Sequence, residues 1–324
     1  MGAQWSQFFP PKPHFTDVPS LDGKVFIVTG GASGIGYELS KTLYQKNGRV
    51  YIAARSEERA RKAIEEIQSA HPGSSGSLSF LHLELDDLES IKASADAFKA
   101  QESKLHVLWN NAGVSRPPVG SLSKQGIELQ LATNCLGPFL FTQHLLPVLQ
   151  ATAASEGTNP GSVRVVWTSS QSVELSAPNG GFVMSDILSP PEDATKLYVN
   201  SKTGNIFLAS ELARRYGSPD GIISVATNPG AALTNLFRHT PSVKYLARPL
   251  LYKPEMAALT QLYAGLSEEI TLEQNGSYII PWGRVSTQLR DDLVEATKLP
   301  SEGGSGRAKE FWDFCADKTS DYLS

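Results

Sequence analysis

The 324-residue chain has only two cysteines, Cys135 and Cys315. That is too few for a disulfide framework or a thiolate metal cluster, so both read as reduced, packed thiols. Long apolar runs are also missing: no stretch reaches the roughly 18–20 consecutive apolar residues that a membrane-spanning helix needs. The N-terminus has no basic region followed by an apolar core, which argues against a secretory signal and makes a cytoplasmic location the expectation. A net charge of −4, with no long basic run, gives no electrostatic reason to bind nucleic acid. The six histidines (His14, His71, His82, His106, His144 and His239) lack metal-ligand spacing, so no metal site is expected. Internal repeats and low-complexity linkers are absent as well.

What the chain does have is an organising stretch at 24–36, KVFIVTGGASGIG. The apolar run Val25, Phe26, Ile27, Val28 breaks into Thr29 and glycines at 30, 31, 34 and 36, and the amphipathic run Tyr37–Lys46 follows. A buried strand, a glycine turn and a helix start form the first βα corner of a dinucleotide-binding unit. Side chains at the glycine positions would keep backbone N–H groups away from a pyrophosphate, and the helix N-terminus adds partial positive charge.

Taken in order, residues 1–20 carry Pro10, Pro11, Pro13 and Pro19 and read as an extended arm. Met1-Gly2-Ala3-Gln4-Trp5-Ser6 fits the N-myristoylation pattern. One acyl chain anchors only marginally, and no basic cluster supports it, so an ordinary arm is the plainer reading and peripheral membrane association the alternative. Strands are expected at about 24–29, 49–54, 78–85, 105–109, 163–168, 222–226 and 277–281. Helices are expected at about 34–47, 57–70, 87–101, 123–154 with a kink near Gly137-Pro138, 195–216 and 254–267. An irregular stretch spans 171–193 and a loop-rich insertion 234–253. Alternating helices and apolar, β-branched strands predict an α/β fold: a single Rossmann-type, doubly wound parallel sheet of about seven strands, with helices on both faces. The division is an arm at 1–20, a nucleotide-binding catalytic domain at 21–283 and a tail at 284–324. In the tail, Leu289, Leu293, Ala296, Phe311, Trp312 and Phe314 could dock on the body.

The glycine spacing is G-x-x-x-G-x-G (Gly30, Gly34, Gly36), and TGGASGIG resembles the glycine motif of the short-chain dehydrogenase/reductase family. The resemblance recurs in order: NNAG at 110–113, Asn134, Ser169-Ser170 after a strand, Tyr198-Val-Asn-Ser-Lys202, and Pro229-Gly230 followed by Thr234. It implies an oxidoreductase interconverting a ketone or aldehyde and an alcohol. Tyr198 would be the acid/base, Lys202 would lower its pKa and hold the nicotinamide ribose, Ser170 would bond the substrate oxygen, and Asn134 would complete a water-mediated proton path. A phenol titrates near 10, so it needs such help to exchange protons near neutrality. Ser169 rivals Ser170 for the serine role, since the pair follows the strand directly.

The same resemblance assigns cofactor contacts to Gly30, Ser33, Gly34, Ile35, Gly36, Asn111, Ala112, Gly113, Tyr198, Lys202, Pro229, Gly230 and Thr234. Its adenine contacts fall on Glu84 and Leu85, or on Asp86 if the register slips. Charge predicts which dinucleotide binds. An acidic residue at the end of the second strand would favour NAD, but this chain has Arg55 and Ser56, which suit a 2′-phosphate; the expected cofactor is NADP(H). The 27 residues between Ser170 and Tyr198 resemble the retinol-dehydrogenase-like branch. Phe182, Val183, Met184, Ile187 and Leu188 from that insert, with Leu236 and Phe237, would wall a pocket for a lipophilic substrate, 234–250 acting as a lid. The alternatives are a non-catalytic NADP(H)-binding sensor or scaffold and an extended-type sugar-nucleotide epimerase or dehydratase. The latter expects G-x-x-G-x-x-G and a separate C-terminal domain, neither of which the chain has. Oligomeric state is left open, a homo-oligomer being one option.

Overall fold

The strand VFIVT (β1, Val25–Thr29) is buried along its whole length, which is what its unbroken apolar run requires. Its side chains divide by alternation. Val25 and Ile27 enter the core on one face of the sheet, and Phe26 and Val28 the core on the other. In the computed structural model, which describes residues 6–155, 157–234, 236, 239, 245, 248 and 251–323, the pattern continues through β2 (Arg49–Ala54), β3 (Ser77–His82), β4 (Val107–Asn110), β5 (Val163–Thr168), β6 (Ile222–Thr227) and β7 (Tyr278–Ile280). These strands are parallel, and a short antiparallel β8 (Arg284–Val285) completes an eight-stranded sheet of order β3-β2-β1-β4-β5-β6-β7-β8. The order reverses between β1 and β4, so a crevice opens at their carboxyl ends.

Helices α1 (Gly34–Gln45), α2 (Glu57–Ala70) and α8 (Pro254–Leu266) cover one face. The other is covered by α3 (Leu88–Lys99), α4 (Gly137–Ala153), α7 (Ala194–Asp220) and the C-terminal α10 (Arg307–Thr319). The short helices α5 (Ser172–Ser176), α6 (Met184–Leu188) and α9 (Asp291–Thr297) add Val173, Ile187, Leu293 and Ala296 to that second core. α7 begins where Asp193 accepts hydrogen bonds from the N–H groups of Thr195 and Lys196, and ends at Gly221 in the left-handed region.

Several expectations need correction. The helix placed at 123–154 starts only at Leu129: Gly126 is left-handed, Leu122 bridges Glu128, and the Glu128 carboxylate accepts from the N–H groups of Gln130 and Leu131. Its irregularity is a π-helical turn at Ala132–Leu136, just before Gly137-Pro138. Gly137 is required there, because a Cβ would lie 2.2 Å from the Leu85 carbonyl oxygen. The third strand leaves the ladder after His82, short of Leu85. The count of about seven strands omitted β8, whose two residues carry no readable periodicity and which follows a tight turn at the left-handed Gly283.

The C-terminal segment pins the insert after β5. Arg290 donates to the Ala177 carbonyl at 2.8 Å, Arg307 to the Asn179 carbonyl at 2.6 Å, and Asp292 accepts from Gly180 N–H at 2.7 Å. Phe182 is consequently buried against Phe207 and Phe311. Among the described residues no helix is long and apolar enough to cross a membrane. Gly2, Trp5 and Phe237, and most of the proposed lid at 234–250, lie outside the described residues.

Candidate active site

Thr29, at the end of β1, ties the crevice together. Its hydroxyl donates to the Trp109 carbonyl at 3.1 Å and accepts from the N–H groups of Asn111 and Ala112, each at 2.9 Å. The Asn111 amide returns a bond to the Thr29 carbonyl at 2.9 Å. The glycine corner and the NNAG turn are therefore one unit. Gly30 (φ 67°) and Gly34 (φ 56°) use the left-handed region, and a Cβ on Gly36 would sit 2.4 Å from the Gly30 carbonyl oxygen. Gly30 and Gly34 stay open to the crevice, as do Ser33, Ile35, Asn111, Ala112, Gly113, Pro229, Gly230 and Thr234, in a cavity of about 390 Å³. Ser33 precedes α1 without bonding its N–H groups through the side chain, so the helix N-terminus faces the cavity with free donors. Gly36 is not in the lining; it lets the corner close behind it.

Ser170, Tyr198 and Lys202 line the same cavity. Burial raises the pKa of the Tyr198 hydroxyl, while the neighbouring Ser170 side chain and the charge of Arg116 lower it. Lys202 Nζ donates to the Thr168 carbonyl at 2.9 Å and lies 5.9 Å from the Tyr198 ring centroid; burial draws its pKa down to about 8. The Ser169 hydroxyl donates to the Lys202 carbonyl at 2.8 Å, whereas Ser170 Oγ accepts from Ser172 and stays beside Tyr198. The two serines thus have different work: Ser169 ties a strand end to α7, and Ser170 faces the phenol.

Other expected residues lie apart. Asn134 does not line the cavity. Its side chain accepts from Val114 N–H at 2.8 Å and donates to the Val114 carbonyl and Ser201 Oγ, so it clamps the β4 loop to α7 and spends both amide hydrogens doing so. Arg55 and Ser56 sit at the end of β2, outside the cavity lining. Ser56 Oγ accepts from Arg59 N–H at 3.4 Å as the cap of α2, and the exposed Arg55 stands 3.9 Å from Asp86. Leu85 is buried in the core and Glu84 is half-buried beside it. Of the expected apolar wall, Leu236 lines the cavity, but Phe182 and Ile187 are buried in the core, Met184 packs against it, and Val183 and Leu188 are exposed. Residues 182–188 of the insert are turned away from the cavity because the C-terminal segment holds them, while Leu175 nearer its start lines it.

Two residues at this site escape a reading of the sequence. Arg116 lies in the cavity wall with its guanidinium carbon 5.4 Å from the Tyr198 ring centroid. Its backbone is left-handed (φ 47°), a conformation that costs a non-glycine residue about 1–2 kcal/mol. Gln7, from the N-terminal arm, is buried: it donates to Glu174 at 2.5 Å and accepts from Asn228 at 2.8 Å. Asn228 in turn accepts from Gly230 N–H at 2.9 Å. Only the short offset of Arg116 from NNAG could have flagged it, and nothing local marks Gln7.

A parallel sheet whose glycine corner opens beside a tyrosine, a serine and a lysine defines a dinucleotide-binding oxidoreductase of the α/β class. The chain belongs to the short-chain dehydrogenase/reductase family. The profile described as short chain dehydrogenase matches residues 24–181. A short-chain dehydrogenase/reductase of Phomopsis amygdali is 46% identical over 98% of this chain and 97% of its own length. The short-chain dehydrogenase/reductase iacJ of Pestalotiopsis fici is 46% identical over 96% and 95%. Among solved structures, the Pseudomonas aeruginosa RhlG/NADP active-site complex shares the fold with a TM-score of 0.60 and 24% identity, covering 84% of this chain and 98% of that one. The 3-ketoacyl-(acyl-carrier-protein) reductase from Brucella melitensis complexed with NADH does so with a TM-score of 0.60 and 22% identity, over 78% and 96%.

Proposed function

We propose that the protein is an NADP(H)-dependent oxidoreductase that interconverts a ketone or aldehyde and an alcohol on a small organic molecule. The observation that carries this reading is the convergence of Tyr198, Ser170 and Lys202 in the cavity onto which the glycine corner opens. The cradle suits a dinucleotide: Gly30 and Gly34 leave the backbone bare, the start of α1 offers free N–H donors, and among the described residues Lys202 has no carboxylate partner. Gly30, Ser33, Gly34, Ile35, Asn111, Ala112, Gly113, Pro229, Gly230 and Thr234 would hold it, with Gly36 keeping the turn closed. When bound, the nicotinamide supplies the hydride. Tyr198 donates its phenolic proton to the substrate oxygen in reduction and takes one back in oxidation. Ser170 hydrogen-bonds that oxygen and orients it. Lys202, protonated, stabilises the phenolate left on Tyr198. Asn134 acts through position, holding the β4 loop against α7.

Preference for the 2′-phosphate is assigned to Arg55, with Ser56 and Ser33 as hydroxyl partners and with Glu84, Leu85 or Asp86 near the adenine. The exposure of Arg55 at the end of β2 supports this. The lipophilic character of the substrate rests on Leu175, Ala231, Ala232 and Leu236 rather than on residues 182–188. The long interval between Ser170 and Tyr198 supports, at family level, the retinol-dehydrogenase-like placement. We take 21–283 as the catalytic unit, with arm and tail as packed extensions, in a cytoplasmic protein. A panel of aldehydes, ketones and alcohols followed by NADPH and NADH absorbance tests the reading. NADPH-dependent turnover of a carbonyl compound is expected; NADPH binding with no turnover of any member would favour the sensor alternative.

A further inference from the structure

Arg116 lies in the cavity wall. Gln130, itself fully buried, fixes its backbone by accepting from Arg116 N–H at 2.8 Å, and Arg116 Nε donates to Thr195 Oγ1 at 3.2 Å. No carboxylate lies within ion-pair distance of its guanidinium among the described residues. The carboxylates beside its two partners are committed elsewhere. Glu128 accepts from Gln130 and Leu131 N–H, and Asp193 from Thr195 and Lys196 N–H. The segment that follows Gly230 cannot supply one either: residues 231–250 include Arg238, Lys244 and Arg248 but no aspartate or glutamate. The cavity lining as a whole contains two cations, Arg116 and Lys202, and no acidic residue.

The two cations have different neighbours. Lys202 reaches under the glycine of the NNAG turn, where a Cβ on Gly113 would come within 3.2 Å of Nζ. Arg116 lies on the face of the Tyr198 ring. A second unspent donor lies in the same wall: the side-chain nitrogen of Gln171, next to Ser170, is buried without a hydrogen-bond partner. A guanidinium with open donors matches a carboxylate in geometry as well as charge.

We propose that Arg116 determines substrate choice by binding an anionic group, a carboxylate or an equivalent acidic oxygen, on the carbonyl compound that Tyr198 and Ser170 process. The inference rests on the oxidoreductase reading above and narrows its substrate class to acid-bearing carbonyl compounds with an apolar body.

The test compares 4-formylbenzoate with its methyl ester, which differ at one end by the charge and one methyl group. NADPH oxidation gives kcat/KM for each in the wild type, Arg116→Lys and Arg116→Leu. The ratio of acid to ester is read within each variant, so any effect of Arg116 on Tyr198 cancels. Calorimetric binding of both compounds to the NADPH complex of Tyr198→Phe, with and without Arg116→Leu, gives the same ratio without turnover. NADPH fluorescence checks that each variant is folded. The expected ratio is on the order of tenfold or more in favour of the acid in the wild type, partly kept in Arg116→Lys and near one in Arg116→Leu. A wild-type ratio near one, a ratio unchanged by Arg116→Leu, or no binding of either compound overturns the proposal. If neither compound turns over while NADPH binds, the oxidoreductase reading has failed; a binding ratio that still depends on Arg116 then upholds the anion site, and one that does not overturns it.

Discussion

The two sides of the crevice are built by different means. On the β1–β4 side, a few adjacent residues shape the wall: Thr29 bridges two strand ends, and glycines at 30, 34 and 36 leave room that no other residue could. On the β5–β7 side, the wall is assembled from distant parts of the chain. Gln7 joins Asn228 to Glu174, Tyr278 donates to the Ser170 carbonyl at 3.1 Å, and Arg290 and Arg307 hold the insert. The first arrangement leaves backbone groups bare, so it constrains residue type. The second shapes a space, which many side chains can do, so it constrains packing and leaves sequence free to vary.

If the β1–β4 wall depends on bare backbone, a side chain there should do the most damage. Gly36→Val pushes against the Gly30 carbonyl, and NADPH affinity measured by fluorescence should fall on the order of 100-fold. A loss under threefold would break the contrast between the walls.

Charge at the end of β2 should matter next. Arg55→Asp removes a charge-assisted bond to a 2′-phosphate, each worth about 1.5–3 kcal/mol, and should move the NADPH-to-NADH preference at least tenfold toward NADH. An unchanged ratio would make Arg55 a solvated partner of Asp86 and nothing more.

Lys202 lies between the two walls and gives a smaller, pH-dependent effect. Its folded pKa of about 8 is below the roughly 10.4 of a free lysine, so folding disfavours its protonated form. In the ligand-free protein this group's contribution to stability is therefore lowest below pH 8 and rises as pH climbs from about 8 through the unfolded value. An anionic ligand favours the charged form. Cofactor binding should take up a proton near pH 8–9, and affinity should weaken above pH 8. Calorimetry in buffers of different ionisation enthalpy measures this uptake; a value of zero at pH 8.5 would contradict it.

The smallest effect belongs to the assembled wall. Gln7→Ala leaves the Glu174 carboxylate and the Asn228 amide without their partner and should cost about 1–3 kcal/mol in denaturant unfolding. NADPH affinity should change less than it does in Gly36→Val. An equal loss of cofactor binding would mean that the two walls are not separable.

This contrast also governs how much the sequence disclosed. The parallel sheet and the glycine corner were legible, since buried strands and bare turns demand particular residue types at fixed spacing. The helix start at Leu129 was missed because Glu128 and Gly126 act through local capping and backbone conformation, which periodicity does not register. The lipophilic wall from 182–188 was misplaced because Phe182 has a partner, Phe311, more than a hundred residues away. Arg116 was overlooked because what sets it apart is that no carboxylate among the described residues pairs with it, and only a folded chain can reveal that.

The chemistry proposed for this site is hydride transfer with Tyr198 as proton donor. A single turnover of 4-formylbenzoate with NADPH deuterated at the transferring position tests it directly. The wild type should place one deuterium on the carbinol carbon, and Tyr198→Phe should bind NADPH yet transfer it about 100–10,000-fold more slowly. An alcohol without deuterium, or transfer at the wild-type rate in Tyr198→Phe, would rule out that chemistry.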